Sequence, residues 1–231
     1  MQEPVLVNEQ VDNAVHVFHT LRHEIINLTI PPGTPISENE VCDRFAVSRT
    51  PVRTAFQRLK DAKLINIIPY KGTHVSRINL DHIKQTIYMR IAVESKVLRD
   101  FIDIYEPLTL EKIRYSIRKQ IVLLDTEFVP EQFYREDSLF HRIWFKATGK
   151  ELLWRKIQHS QVHYTRFRML DIIKTQNFEA IEREHEKLFG IIEKNKKDEV
   201  EPFITKHLHG GIDRLGSRIF KEFSEYFEDS Q

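Results

Sequence analysis

Apolar residues recur at helical spacing along almost the whole chain, two short β-like runs flank a four-residue turn, and glycine is scarce at 7 of 231 residues. Together these predict a mainly α protein, with an N-terminal winged helix-turn-helix over residues 1–77 and an antiparallel α-helical bundle over 80–227. The glycine count argues against a barrel or sandwich built on glycine turns. The length allows two modest domains, each with its own core.

The first helix is expected over Val15–Asn27, where Val15, Phe18, Leu21, Ile25 and Ile26 share a face, with Pro31-Pro32-Gly33 as its stop. Ser37, with Glu40 three residues on, reads as a capping box that opens a short helix from Glu38 to Phe45. Ala46-Val47 makes a tight turn. Ser48 reads as the next N-cap, and Pro51 is tolerated in the first turn that follows. From Arg49 to about Lys60 the pattern separates into two faces. Val52, Ala55, Phe56 and Leu59 form a core stripe, while Arg49, Thr50, Arg53 and Gln57 point elsewhere and are types that hydrogen-bond base edges and phosphates. Leu64–Ile68 and Thr73–Ser76 read as strands joined by Pro69-Tyr70-Lys71-Gly72, a hairpin with a basic tip. Two helices, a turn, a third helix and a hairpin make the winged helix-turn-helix layout.

The net charge of +1 excludes a chain-wide polycation, so any nucleic-acid contact has to come from a local patch. Such a patch exists. Arg44, Arg49, Arg53, Arg58, Lys60, Lys63, Lys71 and Arg77 stand against the single acid Asp61 between positions 44 and 77. The rest of the chain reads as six helices, near 80–103, 108–124, 129–147, 150–170, 176–194 and 197–226, with breaks at Glu106-Pro107, Val129-Pro130, Gly149 and Thr175-Gln176-Asn177, and a weaker one around Asn195-Lys196-Lys197-Asp198. The lone cysteine, Cys42, allows no internal disulfide and fits a reducing cytosol. No apolar run is long enough for a bilayer, and the opening MQEPVLVNEQ lacks the basic-then-apolar order of a signal peptide. A cytoplasmic protein without a membrane partner is expected.

The run Ser48-Arg49-Thr50-Pro51-Val52-Arg53-Thr54-Ala55-Phe56-Gln57-Arg58-Leu59, its lead-in Pro31-Pro32-Gly33-Thr34-Pro35-Ile36-Ser37-Glu38 and the later Lys71-Gly72-Thr73-His74-Val75 resemble the GntR family of bacterial transcription regulators. The resemblance covers residues 15–77, with one departure: Ala62-Lys63 replaces the family's usual acid-glycine before the wing. It implies that Arg49, Thr50 and Arg53 contact double-stranded operator DNA, that Ser48 caps the helix and reaches a phosphate, and that Lys71 and Gly72 bring the wing tip to the minor groove. Arg44 and Lys60 are added from charge alone.

In the second half, Asp137 and His141 lie four residues apart on one helix face, and His185 and His207 fall on two later helices within apolar periodic surroundings. One aspartate and three histidines converging in a bundle would form an N3O site suited to a divalent transition metal such as Zn, Ni, Mn or Fe, with positions left open. His159, His163 and His209 compete for the same role on spacing alone. The Asp137/His141 pair, Glu184-His185 and His207-Leu208, in that order, are similar to the pattern of the FCD ligand-binding domain in the FadR subfamily of GntR regulators, and six helices suggest its VanR-type branch. That resemblance selects Asp137, His141, His185 and His207 as ligands. It also implies a small organic acid effector beside the metal, with Arg90, four residues before Glu94, as an effector contact. Arg166 or Arg168 could also face the cavity.

The expected protein is therefore a DNA-binding regulator, in all expectation a repressor, acting as a homodimer. Two alternatives share residues with it. One is a regulator for which the metal itself is the signal. The other is a metal-dependent bundle enzyme, which Glu182-x-x-His185 alone does not support, because a di-iron site needs a second such pair. No catalytic residue is expected.

Overall fold

The computed structural model describes residues 3–228, with side chains from residue 11 onward. Met1 and Gln2, part of the stretch read as unlike a signal peptide, lie outside the described residues. The fold is mainly helical with one two-stranded sheet, as the sequence predicts. It divides into two compact units, one formed by residues up to Leu80 together with those from Arg218 onward, the other by Asp81–Ser217. No helix among the described residues is long and apolar enough to cross a membrane.

The first unit begins with α1 (Glu3–Ile26), followed by α2 (Glu38–Phe45) and α3 (Arg49–Asp61). The buried stripe of α1 is Ala14, Val17, Leu21 and Ile25. The expected stripe was therefore offset at its start: Val15 is exposed, and Phe18 is half-buried beneath the Arg58 guanidinium, 4.2 Å from the ring centroid. Helix α1 ends before the prolines, because Leu28 already takes a left-handed φ of 63°. Ser37 caps α2 by accepting from the Asn39 N–H at 3.2 Å. The strands β1 (Ile65–Ile68) and β2 (Gly72–Val75) pair antiparallel, with Ile65 opposite Val75 and Ile68 opposite Gly72.

Lys63 sits where the family's glycine is usual, and its φ is +57°. It closes α3 as a Schellman motif would: the Lys63 N–H donates to the Lys60 carbonyl at 2.8 Å and the Leu64 N–H to the Leu59 carbonyl at 2.9 Å. A lysine is strained there by roughly 1–2 kcal/mol, part of which glycine's greater unfolded-state freedom offsets. Lys63→Gly is expected to stabilise the first unit by about 0.5–1 kcal/mol, read as a shift of the urea midpoint without a change of slope.

The second unit contains α4 (Leu80–Ile104), α5 (Pro107–Leu124), α6 (Pro130–Ala147), α7 (Glu151–Ser160), α8 (Val162–Thr175), α9 (Phe178–Glu193) and α10 (Lys197–Leu215). The expected breaks fall where φ turns positive, at Gly149 (71°), Gln176 (48°) and Asn195 (53°), or at Pro107 and Pro130 at the first turn of a helix. Two expectations need correction. The helix expected over 150–170 is interrupted at Gln161, so six helices become seven when α7 and α8 are counted apart. Gln161 is buried at a φ of −102° and ψ of 27°, outside helical geometry.

The last expected helix, 197–226, stops at Leu215, where Gly216 takes a φ of 48°. Beyond it lie a short α11 (Arg218–Lys221) and a 3₁₀ turn at Ser224–Tyr226. These residues pack with the first unit, through a parallel bridge between Ile78 and Phe227, rather than with the bundle as the expected boundary at 227 implied.

Candidate metal centre and nucleic-acid interface

Asp137, His141, His185 and His207 are all buried, and one ligand-type atom from each lies within 4.8 Å of the others. They come from three elements: α6 supplies Asp137 and His141, α9 supplies His185, and α10 supplies His207. Their surroundings fix which ring nitrogens face inward. His141 Nδ1 lies 2.7 Å from a Glu94 carboxylate oxygen on α4, and His207 Nδ1 lies 2.7 Å from a Glu184 carboxylate oxygen on α9.

Burial works against ionisation of Glu94, but the Arg90 guanidinium and then His141 outweigh it and hold the carboxyl at about 2. Burial likewise opposes ionisation of Glu184, and its hydrogen bond from His207 keeps it below the ordinary carboxylate range. Ionised carboxylates only accept, so each Nδ1 donates a proton outward and each Nε2 is the nitrogen turned toward the cluster. The two Nε2 atoms then face one another at 3.2 Å.

His185 Nδ1 lies 2.7 Å from Gln120 Oε1 on α5, which leaves its Nε2 buried without a hydrogen-bond partner among the described residues, 3.5 Å from Asp137 Oδ1. Burial, then the field of His207, pushes His185 well below its usual range, and burial is also the leading cause of the lowered His207. Asp137 is pushed the other way. Burial opposes its charge, but Arg168 at 3.5 Å and the three histidines hold it ionised, far below the usual range. An orphaned imidazole nitrogen is unfavourable in a dry interior, and a cation among the inward-facing Nε2 atoms and the Asp137 carboxylate would satisfy it. The donor set fits a divalent metal.

A clamp steadies α10 behind His207. Asp171 on α8 accepts from Arg214 at 3.1 and 2.6 Å, and a Cβ at Gly211 would come within 3.1 Å of Asp171 Oδ2 and of Phe167, so a larger residue there would press on this clamp. Arg90 is buried. Its Nε donates to Glu94 at 2.6 Å, and its guanidinium carbon lies 4.9 Å from the Tyr164 ring centroid. The structure thus brings Arg90 to Glu94, two steps from the cluster, rather than into direct contact with it. Arg168 reaches Asp137, whereas Arg166 is fully buried with its guanidinium lowered by burial to about 10. The competing histidines stand apart: exposed His159 binds the Arg155 carbonyl, buried His163 packs edge-on against His82, and His209 binds the Thr205 carbonyl.

The third helix of the first unit presents a surface of a different kind. Val52, Ala55, Phe56 and Leu59 are buried, while Ser48, Arg49, Thr50 and Arg53 are exposed together at its start. Ser48 occupies the N-cap position but makes no side-chain capping bond. Acceptors of α2 hold the arginines: Arg49 donates to Asn39 Oδ1 at 3.1 Å and Arg53 to Glu38 at 3.0 Å. Lys71 and Gly72 are exposed at the hairpin turn. Arg44 is bound by Glu24, with one hydrogen bond at 2.8 Å, and Lys60 is exposed.

Two family models match this chain. Bacterial regulatory proteins of the gntR family match residues 13–75, and the FCD domain matches residues 85–210. The chain belongs to the GntR regulators that carry an FCD domain. This GntR regulator is 29% identical over 223 residues to the HTH-type transcriptional repressor RspR of Escherichia coli strain K12, a match covering 96% of this chain and 94% of that one. It is 28% identical over 155 residues to the gluconate operon transcriptional repressor of Bacillus subtilis strain 168, covering 64% and 62% of the two chains. The solved structure of E. coli McbR/YncC has the same fold, with a TM-score of 0.66 at 16% identity over 89% of this chain and 98% of that one. The protein is a transcription regulator, and its relatives are regulators rather than enzymes.

Sequence reasoning missed Gln120, Glu94 and Glu184 as the residues that orient the three histidines of this GntR regulator. Glu94 entered only as a partner of Arg90, and Glu184 only as part of a dipeptide. Nothing in the local pattern marks Gln120, because its partner His185 is 65 positions away.

Proposed function

We propose that this GntR regulator represses transcription as a homodimer on double-stranded operator DNA, and that a small organic acid bound beside a divalent transition metal in the FCD domain changes its affinity for that DNA. The observation that carries the reading is the convergence of three inward-facing imidazole nitrogens and one ionised carboxylate in a buried site. A bound metal would supply positive charge and open coordination positions for a carboxylate oxygen. Arg90 then contributes as an effector contact or by holding Glu94, and Arg168 adds positive charge at the cluster through its approach to Asp137.

On the DNA side, Arg49, Thr50 and Arg53 read base edges, Ser48 binds a phosphate through its uncommitted hydroxyl, and Lys71 with Gly72 follows the backbone at the wing. A homodimer suits the two-fold operators that helix-turn-helix readers recognise. Repression follows the names of the two relatives. Its place of action is the cytoplasm, where the operator is.

The test is a panel of organic acids, screened by thermal shift and by operator affinity with metal-loaded and metal-stripped protein. An acid that stabilises only the loaded protein and changes its operator affinity supports the reading. A response to metal alone, with no acid effective, makes the metal the signal. No response to either refutes control through this site.

A further inference from the structure

We propose that the C-terminal segment 218–228 positions the wing on DNA, with Phe227 as its positioning residue. The segment follows the FCD match, which ends at residue 210, yet it packs with the DNA-binding unit. Ile219, Phe223 and Phe227 are buried. The Ile78 N–H donates to the Tyr226 carbonyl at 2.7 Å, and the Glu228 N–H donates to the Ile78 carbonyl at 3.0 Å. The Asn79 side-chain amide also donates to the Glu228 carboxylate. Ile78 lies three residues past β2, so this short parallel pairing grips the base of the hairpin.

Toward the tip the two border a shared cavity. Asn66, Ile68, Lys71 and His74 of the hairpin line a cavity of about 390 Å³ together with Arg77 and Glu228. A two-stranded hairpin is marginal alone, and the direction of its tip depends on what holds its base. Here that hold is chain that has already passed through the other unit: α10, which carries His207, continues through Gly216 into the segment. The wing of this protein is complete only when residues 218–228 are docked.

The test uses the full chain, a promoter fragment bound by the wild type, and affinities measured across a salt series. Phe227→Ala is expected to weaken binding about tenfold and to flatten the log–log salt dependence by about one, the signature of one lost phosphate contact. Lys71→Ala should do the same, and adding it to Phe227→Ala should change affinity less than twofold. Phe227→Leu, which keeps a buried apolar side chain, should return to within about threefold of wild type, an effect on DNA binding read at one well-folded site.

A second pair of variants avoids the core, because Glu228 is exposed. Glu228→Pro removes the N–H that binds Ile78 and should flatten the salt dependence, whereas Glu228→Gln keeps that N–H and should not. The proposal is overturned if the Phe227 and Lys71 effects multiply, or if the two Glu228 variants share one salt slope.

Discussion

Zinc(II) added to metal-stripped protein is expected to raise the melting temperature by roughly 8–16 °C at a thousandfold excess over its dissociation constant. The figure combines a mass-action stabilisation of about 4 kcal/mol with about 2–4 °C per kcal/mol for a chain of this size. The physical reason lies in the unbound cluster. His141 and His207 turn their Nε2 atoms toward one another at 3.2 Å, and His185 Nε2 has no hydrogen-bond partner among the described residues. A cation is bound by these converging nitrogens and satisfies the orphan, and neither the unfolded chain nor a site missing two ligands offers the same arrangement. His141→Ala/His185→Ala should therefore show none of the rise. Gln120→Leu, which leaves the ligands in place but frees the His185 ring to turn, should weaken zinc affinity about 10–100-fold. Calorimetric titration of stripped protein measures both, and equal affinity in wild type and the double variant would place the metal elsewhere.

Replacing Arg53 or Arg49 by alanine is expected to weaken operator binding by about 1–3 kcal/mol each, roughly fivefold to more than a hundredfold, and to relax preference at particular base pairs. Both side chains leave the exposed first turns of α3, whose opposite face is anchored by Val52, Ala55, Phe56 and Leu59, so the alanine variants should keep their fold. The contrast is with Lys71→Ala, which should weaken all sequences alike. Competition binding with single-base operator variants separates the two behaviours. If Arg53→Ala lost affinity uniformly over every operator variant, Arg53 would be a phosphate contact and base reading would have to be assigned elsewhere.

The layout of the DNA-binding unit was legible because its determinants are local. The Ser48–Leu59 pattern separates a core stripe from the exposed Arg49, Thr50 and Arg53, and the breaks of the bundle are written in Pro107, Pro130, Gly149 and Asn195. The offset in α1 arose because Val15 and Phe18 are as apolar as Val17, and periodicity alone does not say which stripe meets α3. The break at Gln161 carries no proline or glycine and depends on tertiary packing.

Long-range pairings were illegible for a related reason. Asn79 meets Glu228 across 149 positions, and no pattern in 197–226 distinguishes a bundle helix from a tail that returns to the first unit. At the proposed metal site the candidate ligands were selected by a resemblance of order and spacing. The groups that aim them, Glu94 for His141 and Gln120 for His185, lie 47 and 65 positions away and emerge only when the helices are packed.

The buried Asp137, His141, His185 and His207 cluster is proposed as a metal site through which an acid controls DNA binding. It is tested most directly by elemental analysis of the full chain purified without a nickel column, beside the His141→Ala/His185→Ala variant. About one transition-metal ion per chain is expected in the wild type and none in the variant, in keeping with the four-ligand donor set. Wild-type protein that carries no metal, takes up none on titration, and still changes its operator affinity with an organic acid would contradict it.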